Sequence, residues 1–174
     1  MKPLVIFAHG KESGPWGSKI KHLAGIAERN GAQVLSPDYS DLMDPDDRVK
    51  RLLELPLPAH DRLILVGSSM GGYVSTVASQ ALKPAGLFLL APALYIPGYR
   101  VQNPVSGASH ACVVFGWRDE VIPVECGFRF AKNQHIPLHI LDGDHRLNGV
   151  LTEVGDLFEK FMLAAIIGQR AENS

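Results

Sequence analysis

Residues 63–78 read LILVGSSMGGYVSTVA. An unbroken apolar run, Leu63–Val66, gives way to Gly67-Ser68-Ser69-Met70-Gly71-Gly72 and then to a segment that suits a helix. A strand that is apolar at every position is buried on both faces, as in a parallel sheet covered by helices. Gly67, Ser69 and Gly71 fit the pattern G-x-S-x-G. In that pattern the middle serine sits on a sharp, strained strand-to-helix turn, and the glycines avoid collisions that larger side chains would make. The bend is therefore made for Ser69. Two positions after Ser68 stands Met70, not glycine, so Ser68 is expected to turn away. A plain turn with a serine helix cap is the alternative; the apolar strand before and the helix after favour the elbow.

Working outward, the same alternation recurs. Apolar runs at Leu4–Ala8, Val34-Leu35, Gly86–Leu90, Ala111–Phe115 and Pro137–Leu141 join Leu63–Val66 as expected strands. Helices are expected at about Gly17–Asn30, Pro45–Leu55, Ser69–Leu82, Val124–Asn133 and Gly149–Ile167. In the last, Val150, Leu151, Val154, Leu157, Phe158, Phe161 and Met162 step by three and four. Strands alternating with helices predict an α/β fold. Its core is a doubly wound, mostly parallel sheet of about six strands with helices on both faces. The length of 174 residues suits one domain spanning 1–174. The longest irregular stretch, Ala91–His110, is the one candidate cover for a site.

Ligands of open parallel sheets bind at the carboxyl ends of the strands. After the first strand comes His9-Gly10-Lys11, after the third the serine elbow, after the fifth Gly116-Trp117-Arg118-Asp119, and after the sixth Asp142-Gly143-Asp144-His145. A nucleophile, an acid and a histidine thus fall on one edge. Of seven histidines, only His145 follows the last strand in a Gly/Asp turn. A serine hydroxyl needs such a base, and the base needs an acid to hold its tautomer. Asp119 is the favoured acid; Glu120, Asp142 and Asp144 are its local rivals. His135 and His139 are four apart, but Pro137 between them breaks the helix that a metal pair would need. Gly10, Gly14 and Gly17 match neither phosphate-binding spacing. No metal and no cofactor are therefore expected.

The segments HGK after the first strand, GSSMGG, GWRDEVIP and GDHRL resemble the α/β-hydrolase family, specifically its small members without a large lid. The resemblance runs from Leu4 to about Phe161. It implies a serine hydrolase with the family's order of nucleophile, acid and histidine: Ser69, Asp119, His145. It also implies an oxyanion hole from two backbone N–H groups, Met70 after the nucleophile and Lys11 in the first loop, with His9-Gly10 shaping that loop. Trp117, Trp16 and Tyr95 are the expected substrate-binding residues, with Leu94, Ile96, Tyr99 and Met70 nearby. A short chain leaves no room for a large lid, so small or short-chain esters or thioesters are the expected substrates. Acyl transfer or perhydrolysis on the same triad, and a non-catalytic binding protein that keeps the fold, are the alternatives.

Composition excludes other classes. The formal net charge is −1 and basic residues are scattered, so neither nucleic acid nor an anionic membrane is an expected partner. The most apolar stretch, Ala85–Leu94, is about half of the ~20 residues needed to cross a bilayer. No signal peptide is evident, and a cytoplasmic location is expected. Cys112 and Cys126 lack motif spacing and read as structural thiols.

Overall fold

The computed structural model describes residues 1–167; positions 168–174 of the expected domain lie outside the described residues. The elements are β1 (Leu4–Ala8), α1 (Ser18–Arg29), β2 (Gln33–Leu35), α2 (Pro45–Glu54), β3 (Leu63–Ser68), α3 (Met70–Leu82), β4 (Gly86–Leu90), β5 (His110–Arg118), α4 (Val124–Gln134), β6 (Leu138–Asp144) and α5 (Leu151–Ile167). The six strands form one parallel sheet in the order β2-β1-β3-β4-β5-β6. Every expected strand and helix is present. β5 and β6 run three residues further toward the site than the apolar runs alone suggested, and α3 begins after Ser69, not on it.

Alternating strand residues feed two cores. Leu4, Ile6, Leu65, Leu87, Leu89 and Val113 pack beneath α2, α3 and α4, whose Leu52, Val74 and Phe130 are buried. Val5, Phe7, Ile64, Val66, Phe88 and Val114 pack against α1 and α5 through Leu23, Phe158 and Met162. Burial on both faces is why these strands carry no polar alternation. At roughly 25 cal/mol per Å² of apolar area, this two-sided burial is the main term holding the fold. Among the described residues no helix is long and apolar enough to cross a membrane, and no large lid is inserted.

The strand order places the site. Chain direction across the sheet reverses between β1, whose successor β2 lies on its outer side, and β3, whose successors run the other way. The loops that leave β1 and β3 diverge there and open a crevice at their carboxyl ends. His9-Gly10-Lys11 and Ser69 occupy those two loops.

Candidate active site

Ser69 sits between β3 and α3 at φ 54°, ψ −119°, a conformation that L residues rarely adopt. The surrounding backbone holds it there. Its N–H donates to the Leu90 carbonyl at 3.0 Å, and its carbonyl accepts from Gly72 N–H and Ala93 N–H, both at 2.9 Å. The flanking glycines are steric necessities. A Cβ on Gly67 would overlap the Gly71 carbonyl, one on Gly71 would overlap the Ala8 carbonyl at the end of β1, and one on Gly72 would strike Pro92. The elbow thus lies directly on β1.

Gly71→Ala is therefore expected to destabilise the fold by about 3 kcal/mol, because backbone must move on both sides of the contact. Gly14→Ala, with nothing within 4 Å of its Cβ, should change stability by less than about 0.5 kcal/mol. Urea midpoints of the two variants check this; equal midpoints would show that the elbow has slack.

His145 follows β6 in a turn built by Asp144, whose carboxylate accepts from Arg146 N–H at 3.1 Å and Leu147 N–H at 3.0 Å. The imidazole Nε2 lies 3.1 Å from Ser69 Oγ, and Nδ1 lies 2.8 Å from Asp119 Oδ2. Nδ1–H donating to the carboxylate leaves Nε2 free to accept the serine hydroxyl proton. The Asp119 side chain is 0% exposed. Its other oxygen accepts from Val121 N–H at 2.9 Å and Ile122 N–H at 2.8 Å. Of the rival carboxylates, Asp142 pairs with Arg118 at 2.6 Å, Asp144 closes the histidine turn, and Glu120 is exposed. Three side chains from three loops meet in the order serine, histidine, aspartate.

Ser69 and His145 open onto a cavity of about 620 Å³, with the Asp119 side chain buried behind the ring. Lys11 and Met70 both line it, and neither amide has a hydrogen-bond acceptor among the described residues. Its apolar wall comes from Ala93, Ile96, Tyr99, Val121 and Ile122. Ser68 also borders the cavity, although its hydroxyl does not meet His145; it was expected to face away. Lys19 lines the cavity and donates to the Arg146 carbonyl at 3.0 Å. Burial brings its pKa down to about 8, with Asp144 and Asp119 opposing that shift.

The three side chains expected to bind substrate lie outside the cavity wall. Trp117 is 64% and Trp16 45% exposed, both facing solvent. Tyr95 stacks under the Arg129 guanidinium, 3.9 Å from ring centroid to Cζ. Of the residues expected beside them, Ile96 and Tyr99 from the Ala91–His110 stretch and Met70 do line the cavity. Tyr99 is fixed edge-on against Tyr73 with ring centroids 4.7 Å apart. Tyr73 in turn donates to Asp46 at 2.8 Å and accepts from Val101 N–H at 3.1 Å.

Sheet order, elbow and the loops bearing serine, acid and histidine define an α/β-hydrolase fold. Solved structures agree. A protein from Xanthomonas campestris pv. campestris assigned to the alpha/beta hydrolase superfamily is 29% identical. The match covers 94% of this chain and 99% of that one, with TM-score 0.82. Est1E from Butyrivibrio proteoclasticus is 19% identical over 95% of this chain and 89% of its own, with TM-score 0.83. A dienelactone hydrolase from Anabaena variabilis is 17% identical over 93% and 86%, with TM-score 0.74. By sequence, the chain belongs to the Uncharacterised protein family (UPF0227), whose model matches residues 4–100. Comparison with curated proteins gave no match.

Proposed function

We propose that this protein is a serine hydrolase that cleaves small or short-chain carboxylic esters or thioesters through an acyl-enzyme on Ser69. The observation that carries this reading is the 3.1 Å approach of His145 Nε2 to Ser69 Oγ with Asp119 behind the ring. Ser69 Oγ attacks the carbonyl carbon while His145 takes the hydroxyl proton. The Met70 and Lys11 amides receive the negative charge that develops on the carbonyl oxygen. The protonated His145 then gives its proton to the leaving alcohol or thiol. Water, deprotonated by His145, attacks the acyl carbon and frees the acid, restoring the serine.

The apolar wall of Ile96, Tyr99, Val121 and Ile122 suits a short acyl or alcohol group. Est1E has been solved with ferulic acid bound, so aromatic acid esters join acetate and butyrate esters in the first substrate panel. A binding protein without catalysis has no physical need for a strained serine backed by an oriented base, since strain of this kind costs about 1–3 kcal/mol.

The test is covalent labelling. A fluorophosphonate probe is expected to add once to the native protein, with peptide mapping placing the adduct on Ser69. A folded protein that takes up no probe would overturn the reading.

A further inference from the structure

Among the described residues the largest fully buried side chain is an arginine, Arg48 of α2, at 0% exposure. Among the described residues it has no carboxylate within ion-pair distance; the nearby Asp41 pairs with Arg51 at 2.5 Å. Its Nε donates to the Leu42 carbonyl at 2.8 Å. Its Nη1 is shared by the carbonyls of His9 and Gly10, each at 3.2 Å. Its Nη2 has no acceptor. A guanidinium stays charged in proteins, and burying it without a counter-ion is costly; apolar packing would serve stability as well or better.

What this charge faces is the loop after β1. The Gly10 carbonyl has a second donor, His9 Nδ1–H at 2.7 Å. His9 is also 0% exposed, and its Nε2 accepts from Tyr39 N–H at 2.9 Å. The ring is therefore neutral with its proton on Nδ1. Burial and the Arg48 charge both lower its pKa. Asp38 lies 3.7 Å from Nε2, but with that nitrogen already accepting a proton the contact is no ion pair.

The Gly10 C=O and the Lys11 N–H belong to one peptide unit. Among the described residues every peptide bond is trans, so the two groups point in opposite directions. Two buried donors draw the Gly10 oxygen inward and thereby turn the Lys11 N–H out toward the cavity. They also polarise the peptide, which makes its N–H a stronger donor.

We propose that Arg48 is a positioning residue for the oxyanion hole. With His9 it clamps the Gly10–Lys11 peptide, and it sets a fixed positive charge beneath the point where the transition state becomes negative. This rests on the serine-hydrolase reading above. A water-excluded charge beneath the loop is worth far more there than in water. Because the clamp acts on developing charge, it raises kcat and leaves KM nearly alone.

The experiment compares wild type, Arg48→Met and Arg48→Lys in p-nitrophenyl acetate hydrolysis and in inhibition by an alkyl trifluoromethyl ketone. The ketone forms a negatively charged tetrahedral adduct on an active serine. Arg48→Met is expected to lower kcat about 100-fold, with KM within two-fold, and to weaken ketone inhibition by a similar factor. Arg48→Lys keeps the charge but cannot span both carbonyls, and should recover about ten-fold of that loss. A folded Arg48→Met protein with wild-type kcat and ketone inhibition would overturn the proposal. If Arg48→Met does not fold, Arg48→Lys decides it: ketone inhibition weakened about five-fold or more relative to KM supports the clamp, and an unchanged ratio overturns it. If wild type neither hydrolyses esters nor takes up the fluorophosphonate, the serine-hydrolase reading itself has failed, and this inference fails with it.

Discussion

Ser69→Ala is expected to lower ester hydrolysis by about 10⁶-fold while leaving the protein folded. The serine oxygen has no structural duty that the fold would miss: among the described residues its one hydrogen-bond partner is His145 Nε2. The elbow is held by its main chain, through Leu90, Gly72 and Ala93, and alanine retains all three bonds. Ser68→Ala should change the rate by no more than a few-fold, because Ser68 borders the cavity without meeting the base. Glycine provides the converse control. At φ 54° and ψ −119° a side chain costs about 1–3 kcal/mol. Ser69→Gly is therefore expected to be equally inactive yet to melt above wild type. Steady-state rates and thermal unfolding on the three variants check both halves. An active Ser69→Ala protein beside an inactive Ser68→Ala would place the nucleophile one residue earlier.

The elbow was readable because its constraints are local. A strand apolar at every position, a glycine on either side of serine and a helix after it are all contiguous in the chain. Asp119 and His145 were readable because a parallel sheet sends every strand's carboxyl end to one edge, so position after a strand stands in for position in space. The cavity wall was readable only in part: Met70, Ile96 and Tyr99 line it as expected, whereas Trp117 does not. Trp117 lies two residues before Asp119, and strand alternation would send both to one side. The register shift between Gly116 and Arg118 breaks that alternation, and Trp117 ends in solvent. Trp16 and Tyr95 are expected at the site from residue type alone, and they lie in loops, where no periodicity sets direction.

Arg48 is one of many scattered basic residues, yet the sequence carries a signal for it. Pro45, Arg48, Val49 and Leu52 are the buried residues of α2. Their spacing is that of an apolar helical stripe, and a charge at one of its positions marks a buried group with a purpose.

Asp119→Asn is expected to lower kcat by about 10⁴-fold with little loss of stability. The reason lies in which oxygen does what. Oδ1 accepts from the Val121 and Ile122 amides, and Oδ2 accepts from His145 Nδ1–H. Asparagine has one oxygen and one NH₂. The two loop amides can be satisfied only by the oxygen, so the NH₂ must face His145. An amide donor opposite Nδ1 forces that nitrogen to become the acceptor, and the ring proton moves to Nε2. Nε2–H cannot accept a proton from Ser69. The loop keeps its two hydrogen bonds, so the fold survives while the base is held in the wrong tautomer. Glu120→Gln and Asp144→Asn provide the comparison. Glu120 is exposed, and its change should leave the rate near wild type. Asp144→Asn keeps an acceptor oxygen for the Arg146 and Leu147 amides and should cost far less than Asp119→Asn. An active Asp119→Asn beside an inactive Glu120→Gln or Asp144→Asn would move the acid to that residue. Near-wild-type rates in all three would mean that His145 needs no carboxylate to hold its tautomer.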